Sequence, residues 1–261
     1  MNSENVRLGY VPTRRDLFSR EDAARYKTVV AQKLRSMGVD IVDIEWLNEE
    51  GLLYDTADVE AVVKKFTDAG VDAVFTPHCN FGTEAAVARL GKALGKPLLL
   101  WGPRYDAPLP TGIRTRDSQC GLFATSKALQ RLGVPFTYIT NCRVEDSEFD
   151  RGVKEFLGVA SVIKTFSHMR IGQIDTRPES FWNVIASEGE LLSRFGIEVV
   201  PISLVEIVEA MNARLSGADS EVDRVVEQFR YTADFTEVND QDVRKMAALK
   251  LAILEWAVQK Q

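Results

Sequence analysis

Histidine is nearly missing from this chain: there are two in 261 residues, beside three cysteines. His78 and His168 lie far apart in sequence, and neither an HExxH pair nor a Cys/His cluster is present, so no zinc site can be read from spacing. Cys79, Cys120 and Cys142 form no CxxC pair and are odd in number, which argues against a disulfide framework and for a reducing, cytoplasmic setting. There is no GxGxxG after the first strand and no GxxxxGK[ST], so nucleotide binding has no support, and the GxSxG elbow of hydrolases is missing too. No apolar run approaches the ~18 residues of a membrane span. The N-terminal stretch MNSENVRLGYVP has no long apolar segment of the secretory type. The 38 acidic residues exceed the 32 basic ones, giving a net charge of −6. That balance leaves neither nucleic acid nor an anionic membrane as a partner, since both need clustered Lys and Arg.

What is present is ordinary in amount and regular in order. Hydrophobic residues make up 45% and charged residues 27%, enough for a real core. Short β-rich runs alternate with longer amphipathic stretches, the pattern of βαβ units on a parallel sheet. Strands are expected at Val6–Val11, Ile41–Trp46, Val71–Pro77, Pro97–Trp101 and Phe136–Thr140. Between and after them, helices are expected from the Ser19 cap to Gly38, at Thr56–Ala69, Gly82–Leu94, Asp117–Leu132 and Glu148–Phe166. The fold class is therefore α/β: a doubly wound parallel-sheet domain, Rossmann- or flavodoxin-like, over residues 1–167.

The pattern restarts at Arg170. Ile171–Ile174 reads as a strand, Phe181–Phe195 as its helix and Glu198–Ile202 as a second strand, followed only by helices near 204–215, 220–231 and 240–259. Two strands bury poorly by themselves. Residues 168–261 thus read as the beginning of an incomplete second α/β domain ending in a long helix. Leu251, Ala252, Ile253, Leu254, Trp256 and Val258 of that helix form an apolar face with no later segment to cover it. The competing reading is a compact helical cap on the first sheet.

Ligands of open α/β sheets sit at the carboxyl ends of the strands. The loops there carry Arg14 and Arg15, then His78, Asn80 and Phe81, then Arg104 and Asp117, a mixture of donors and acceptors suited to a polyhydroxylated ligand. Each has a plainer role available. His78 can be a hydrogen-bonded structural histidine, Asn80 a turn or cap, and Asp117 part of an ion pair with Arg114 or Arg116 that pins the long loop. Cys120 opens a helix, where a thiol can be activated, but the favoured role is that of a small buried residue. Phe81 or Trp101 can stack on an apolar sugar face, with a core role the alternative for Trp101.

The runs Thr76-Pro77-His78-Cys79-Asn80-Phe81-Gly82-Thr83-Glu84, Leu100-Trp101-Gly102-Pro103-Arg104 and Arg114-Thr115-Arg116-Asp117-Ser118-Gln119-Cys120-Gly121 resemble the L-fucose/L-arabinose isomerase-like family. Met169-Arg170-Ile171-Gly172, Arg177-Pro178, Phe181 and the run from Arg194 to Pro201 resemble the start of that family's second domain. The resemblance implies a cytoplasmic aldose–ketose isomerase, an intramolecular oxidoreductase of carbohydrate metabolism. It further implies a pentose or 6-deoxyhexose substrate, a homo-oligomer, and Mn²⁺ or another divalent metal held by carboxylates and histidine. The first domain is then similar to a substrate-recognition domain, with Arg14, Arg15, His78, Asn80, Phe81, Arg104 and Asp117 as rim candidates. The family's metal ligands and acid/base pair have no counterpart in residues 1–261, so no catalytic residue carries over, no metal is expected within this chain, and the chain alone is expected to be inactive. The alternatives are a non-catalytic cytosolic sugar-binding module, or an oligomerisation element built on the last helix.

Overall fold

The structure is a computed structural model that describes residues 6–167 and 169–260, so His168 lies outside the described residues. The chain forms two compact units, the first ending at Lys164 and the second beginning at Thr165.

The first unit is built on a five-stranded sheet. Its strands are β1 (Arg7–Tyr10), β2 (Asp40–Val42), β3 (Ala73–Pro77), β4 (Leu98–Trp101) and β5 (Thr137–Tyr138). They are ordered β2-β1-β3-β4-β5 and pair in parallel throughout. The helices are α1 (Arg20–Ser36), α2 (Val59–Asp68), α3 (Glu84–Leu94), α4 (Ser118–Arg131) and α5 (Ser147–Phe166). The doubly wound expectation holds, in the flavodoxin strand order.

Alternation along the strands explains the two helical layers. In β3, Ala73 and Phe75 face one side and Val74 the other; in β4, Leu99 and Trp101 face the first side, Leu98 and Leu100 the second. The first face takes Ala23, Tyr26, Val30 and Leu34 of α1 and Phe149, Val153 and Phe156 of α5. The second takes Val62 and Phe66 of α2, Val87 and Leu90 of α3 and Leu129 of α4. Both faces are covered, which is why the central strands read as unbroken apolar runs. Each fully buried Leu or Phe contributes about 1.5–3 kcal/mol. Right-handed crossovers account for the change of face, because the chain moves one way along the sheet from β1 to β2 and the other way from β1's far side onward.

Two expectations need correction here. Strand two stops at Val42 rather than reaching Trp46. Asn48 Oδ1 accepts from the Glu50 N–H at 3.1 Å and Asn48 Nδ2 donates to the Leu52 carbonyl at 2.9 Å. Nearer the strand end, Asp43 Oδ1 accepts from the Glu45 N–H at 3.3 Å and the Ile44 carbonyl accepts from the Leu47 N–H at 3.0 Å; this local bonding replaces the ladder after Val42, and the Asn48 bonds turn the chain beyond it. The stretch at Thr56–Asp58 is a 3₁₀ turn capped by Asp55, with the α-helix following from Val59.

The second unit holds β6 (Arg170–Ile174) and β7 (Glu198–Ile202), paired in parallel, with α6 (Glu188–Phe195) between them. The helix expected from Phe181 starts only at Glu188. Ser187 is its cap, accepting from the Glu190 N–H at 3.3 Å, and this Ser-x-x-Glu signal was present in the sequence. Helices α7 (Leu204–Leu215), α8 (Ser220–Thr232) and α9 (Asp240–Gln259) follow. Ser203 and Glu206 form a full capping box at α7. The last helix is not left without partners. Ala247 and Ala248 join Val222 and Val225 in a small core, with Leu251 against it. A Cβ on Gly172 would stand 2.6 Å from the Trp256 ring, so the indole lies directly on β6. Leu254 and Val258 of the same helix do remain exposed.

Candidate functional site

The carboxyl ends of β1 and β3 are joined at Thr13. Its N–H donates to the Pro77 carbonyl at 2.9 Å and its carbonyl accepts from the Cys79 N–H at 2.9 Å. The Thr13 hydroxyl donates to the Leu53 carbonyl at 2.7 Å and accepts from the Thr83 N–H at 3.1 Å. Three loops are thereby tied together at the point where the strand order reverses.

Asn80 makes the next tie and is fully buried. Its Oδ1 accepts from the N–H groups of Arg15 (2.9 Å) and Phe81 (2.6 Å), and its Nδ2 donates to the carbonyls of Arg15 and Ser19, both at 3.2 Å. Its own carbonyl accepts from the Asp117 N–H at 2.8 Å. Asn80 therefore sets the mutual position of three loops, those of Arg15 and Phe81 through its amide side chain and that of Asp117 through its own carbonyl.

His78 is also fully buried. Nδ1 lies 3.1 Å from the Thr76 carbonyl and Nε2 2.8 Å from Thr125 Oγ1. Since a carbonyl can only accept, Nδ1 carries the proton and Nε2 accepts from the threonine. Burial lowers its pKa from the usual value to about 4, keeping the ring neutral. Gly82 packs against this ring with φ +85°, leaving no room for a side chain. Arg14 is likewise enclosed, with 2% of its side chain exposed; it pairs with Glu50 and Asp16 and lies 3.8 Å from the centre of the Tyr54 ring.

Arg15, Phe81, Arg104 and Asp117 reach the surface or its edge. Phe81 stacks on Phe18 with ring centres 5.4 Å apart and planes 11° from parallel. Arg15 lies over the Phe81 ring at 4.5 Å and pairs with Glu84. Phe18 was not among the sequence candidates; its signal was an aromatic residue immediately before the Ser19 cap. Trp101 does not join this platform. It is fully buried, packs edge-on against Phe149 at 4.9 Å, and donates from Nε1 to Cys142 Sγ at 3.3 Å.

Asp117 accepts from the Tyr105 hydroxyl, and burial together with that carboxylate pushes the phenol up to about 12. The ion pairs that pin the loop belong instead to Arg116, which reaches Asp22 and Asp106. The Arg116 guanidinium holds the Asp106 carboxyl below its usual range. Among the described residues Arg104 and Arg114 stand in no ion pair. Cys120, expected as a small buried residue, is instead exposed in the first turn of α4, whereas burial raises the thiol pKa of both Cys79 and Cys142.

No three His, Cys, Asp or Glu side chains among the described residues converge to hold a metal ion. These residues do not fit a divalent metal site, and no chemical step is derived through one. An apolar cavity of about 680 Å³ lies at the other end of the sheet, lined by Pro97, Val134, Phe136, Phe156 and Ile163.

Residues 9–167 match the family described as the fucose/sulfoquinovose isomerase N-terminal domain. The chain is 22% identical over 204 residues to a sulfoquinovose isomerase of Priestia aryabhattai and, to the same extent, to one of Priestia megaterium (strain ATCC 12872 / QMB1551); the alignment covers 78% of this chain and 44% of each relative. The chain thus spans less than half the length of these curated relatives. Among solved structures, a periplasmic solute-binding protein of an ABC transporter from Actinobacillus succinogenes 130z, with bound D-allose, is 13% identical. It covers 81% of this chain and 65% of its own, at a TM-score of 0.27, too low to carry an argument. No described helix is long and apolar enough to cross a membrane. With its parallel sheet and tied strand-end loops matched over residues 9–167, the chain belongs to the fucose/sulfoquinovose isomerase N-terminal domain family.

Proposed function

We propose that this chain is the sugar-recognising part of an aldose–ketose isomerase, and that its strand-end rim receives the sugar. The observation that carries this reading is the family match over residues 9–167. Polar and aromatic groups at that rim support it. Phe81, backed by Phe18, offers an apolar face for the C–H side of a sugar ring. Arg15, Arg104 and Asp117 supply donors and an acceptor for hydroxyl groups. Arg14, His78 and Asn80 act one step behind, holding the loops. The substrate is a pentose or 6-deoxyhexose, or a hexose with an anionic group at C6. The relatives' description as sulfoquinovose isomerases, and Arg104 and Arg114 standing in no ion pair among the described residues, favour the last of these.

In this reading Mn²⁺ or a similar cation serves the complete enzyme, held by side chains other than those of residues 1–261, and residues 1–261 alone give no turnover. The complete protein works as a homo-oligomer, and the three free thiols suit a reducing cytoplasm. Calorimetry with L-fucose, L-arabinose and sulfoquinovose, with and without Mn²⁺, tests the reading. Metal-independent binding of one of these sugars, lost in Phe81→Ala, is the expected result. No binding in the whole panel would sink it. Isomerisation of any of these sugars by residues 1–261 with added Mn²⁺ would overturn the division of labour.

A further inference from the structure

We propose that Arg116 is the positioning residue of the rim: it fixes the long loop from Gly102 to Asp117 against α1 so that Arg104 and Asp117 meet the sugar in one geometry. The inference rests on the sugar-recognition reading above. Loops of this length inside a compact domain are usually functional, and this one is divided into a held base and an exposed tip. Residues 107–114 are all exposed, and the turn there is closed only on itself, by Gly112 N–H to the Leu109 carbonyl (2.8 Å) and Leu109 N–H to the Ile113 carbonyl (3.0 Å).

At the base, one guanidinium joins the two ends of the loop to α1, beside backbone ties from Arg104 N–H to the Cys142 carbonyl and Asp117 N–H to the Asn80 carbonyl and an Arg143–Asp106 pair. Arg116 has 2% of its side chain exposed. Nη1 donates to Asp22 on α1 at 2.5 Å, while Nη2 donates to Asp106 and, at 3.3 Å, to the Arg104 carbonyl. The same group lies 4.8 Å from the centre of the Tyr26 ring, on the helix that carries Asp22. A planar fork with fixed N–H directions can bind two carboxylates and a carbonyl at once while stacking on a ring; an ammonium cannot. Thr115 adds a second link, from its hydroxyl to Asp22 at 3.2 Å, and Ser19 N–H donates to the Thr115 carbonyl at 3.1 Å.

Arg116 Nε is buried and has no hydrogen-bond partner among the described residues. A buried charged donor left unmet is costly, so the hydrogen bonds that offset the burial of this guanidinium are those of Nη1 and Nη2 at the loop base.

The test is hydrogen exchange read by mass spectrometry on the 261-residue chain, with L-fucose and with sulfoquinovose as probes. Wild type, Arg116→Lys, Asp106→Asn and the remote control Arg151→Lys are compared. The proposal expects sugar to slow exchange at 104–117 and 78–84 in wild type. It expects Arg116→Lys to raise the sugar concentration for half-protection at least tenfold and to speed exchange at 104–117 without sugar, with the sheet peptides unchanged. Asp106, about half exposed, can be altered without opening the core, and Asp106→Asn should move the same way by a smaller factor. Protection in wild type with an unchanged midpoint in both rim variants overturns the positioning role. Loosening of the loop in Arg116→Lys with no sugar protection in wild type overturns the sugar reading and with it this use of Arg116.

Discussion

His78 Nε2 lies 2.8 Å from the Thr125 hydroxyl, a bond from the loop after β3 to the middle of α4, with both groups fully buried. The histidine is a structural joint, and its titration follows from its burial. With a folded pKa of about 4 against an ordinary value of 6.5, both states are neutral above pH 6.5 and the group adds no pH dependence there. As the pH falls from 6.5 to 4, the unfolded chain takes a proton that the folded chain refuses. Stability is lost over that window, by about 3 kcal/mol at its lower end. Urea unfolding at pH 7 and pH 4.5 should show His78→Gln losing much less between the two than wild type. Equal losses would remove His78 as the cause.

Gly121 stands against the Phe81 carbonyl, where a Cβ would overlap it. Gly121→Ala must push α4 away from the loop that carries Phe81 and should cost about 1–3 kcal/mol or more. Gly158, exposed in α5 with open space around it, is the contrasting site. Gly158→Ala should stabilise by about 0.5–1 kcal/mol through backbone entropy alone. Chemical denaturation of the two variants checks the pair, and the opposite order would contradict the packing at Phe81.

Asn80→Ala leaves the Arg15 and Phe81 N–H groups without their acceptor. A loss of about 1–3 kcal/mol for each group left buried and unpaired is expected. Asn80→Asp keeps the accepting oxygen but removes the donor to the Arg15 and Ser19 carbonyls, so it should fall between wild type and alanine. Thermal melts read the order directly.

In the second unit, Gly172→Ala should displace the Trp256 ring from β6. Trp46 and Trp182 are exposed and Trp101 lies in the first core, so a changed emission from the Gly172→Ala chain should disappear when Trp256→Phe is added. An emission spectrum identical to wild type would mean that the indole is not held there.

The order of strands and helices was legible because each rests on local periodicity and caps. The apolar runs Val71–Pro77 and Pro97–Trp101 read as strands and hold β3 and β4, Ser19 with Asp22 marked the start of α1, and Gly95 closed α3. Where reading failed, a side chain had bonded locally to the backbone: Asp43 directly after the second strand, and Ser187 as the cap of α6. The rim was legible as a set of loops and not as a set of roles. Arg14 and Arg104 look equivalent in sequence, yet one is enclosed by Glu50, Asp16 and Tyr54 while the other is exposed.

The sequence by itself determined the α/β alternation, the parallel sheet and the resemblance in the strand-end loops, since these depend on residues close together in the chain. Packing settled which rim side chains reach solvent, that Phe18 lies on Phe81, and that Arg116 pairs with Asp22 and Asp106 rather than with Asp117. Those facts depend on partners from α1, β3 and α4. Contacts between segments far apart in sequence are set by packing of the whole sheet, which no local pattern encodes.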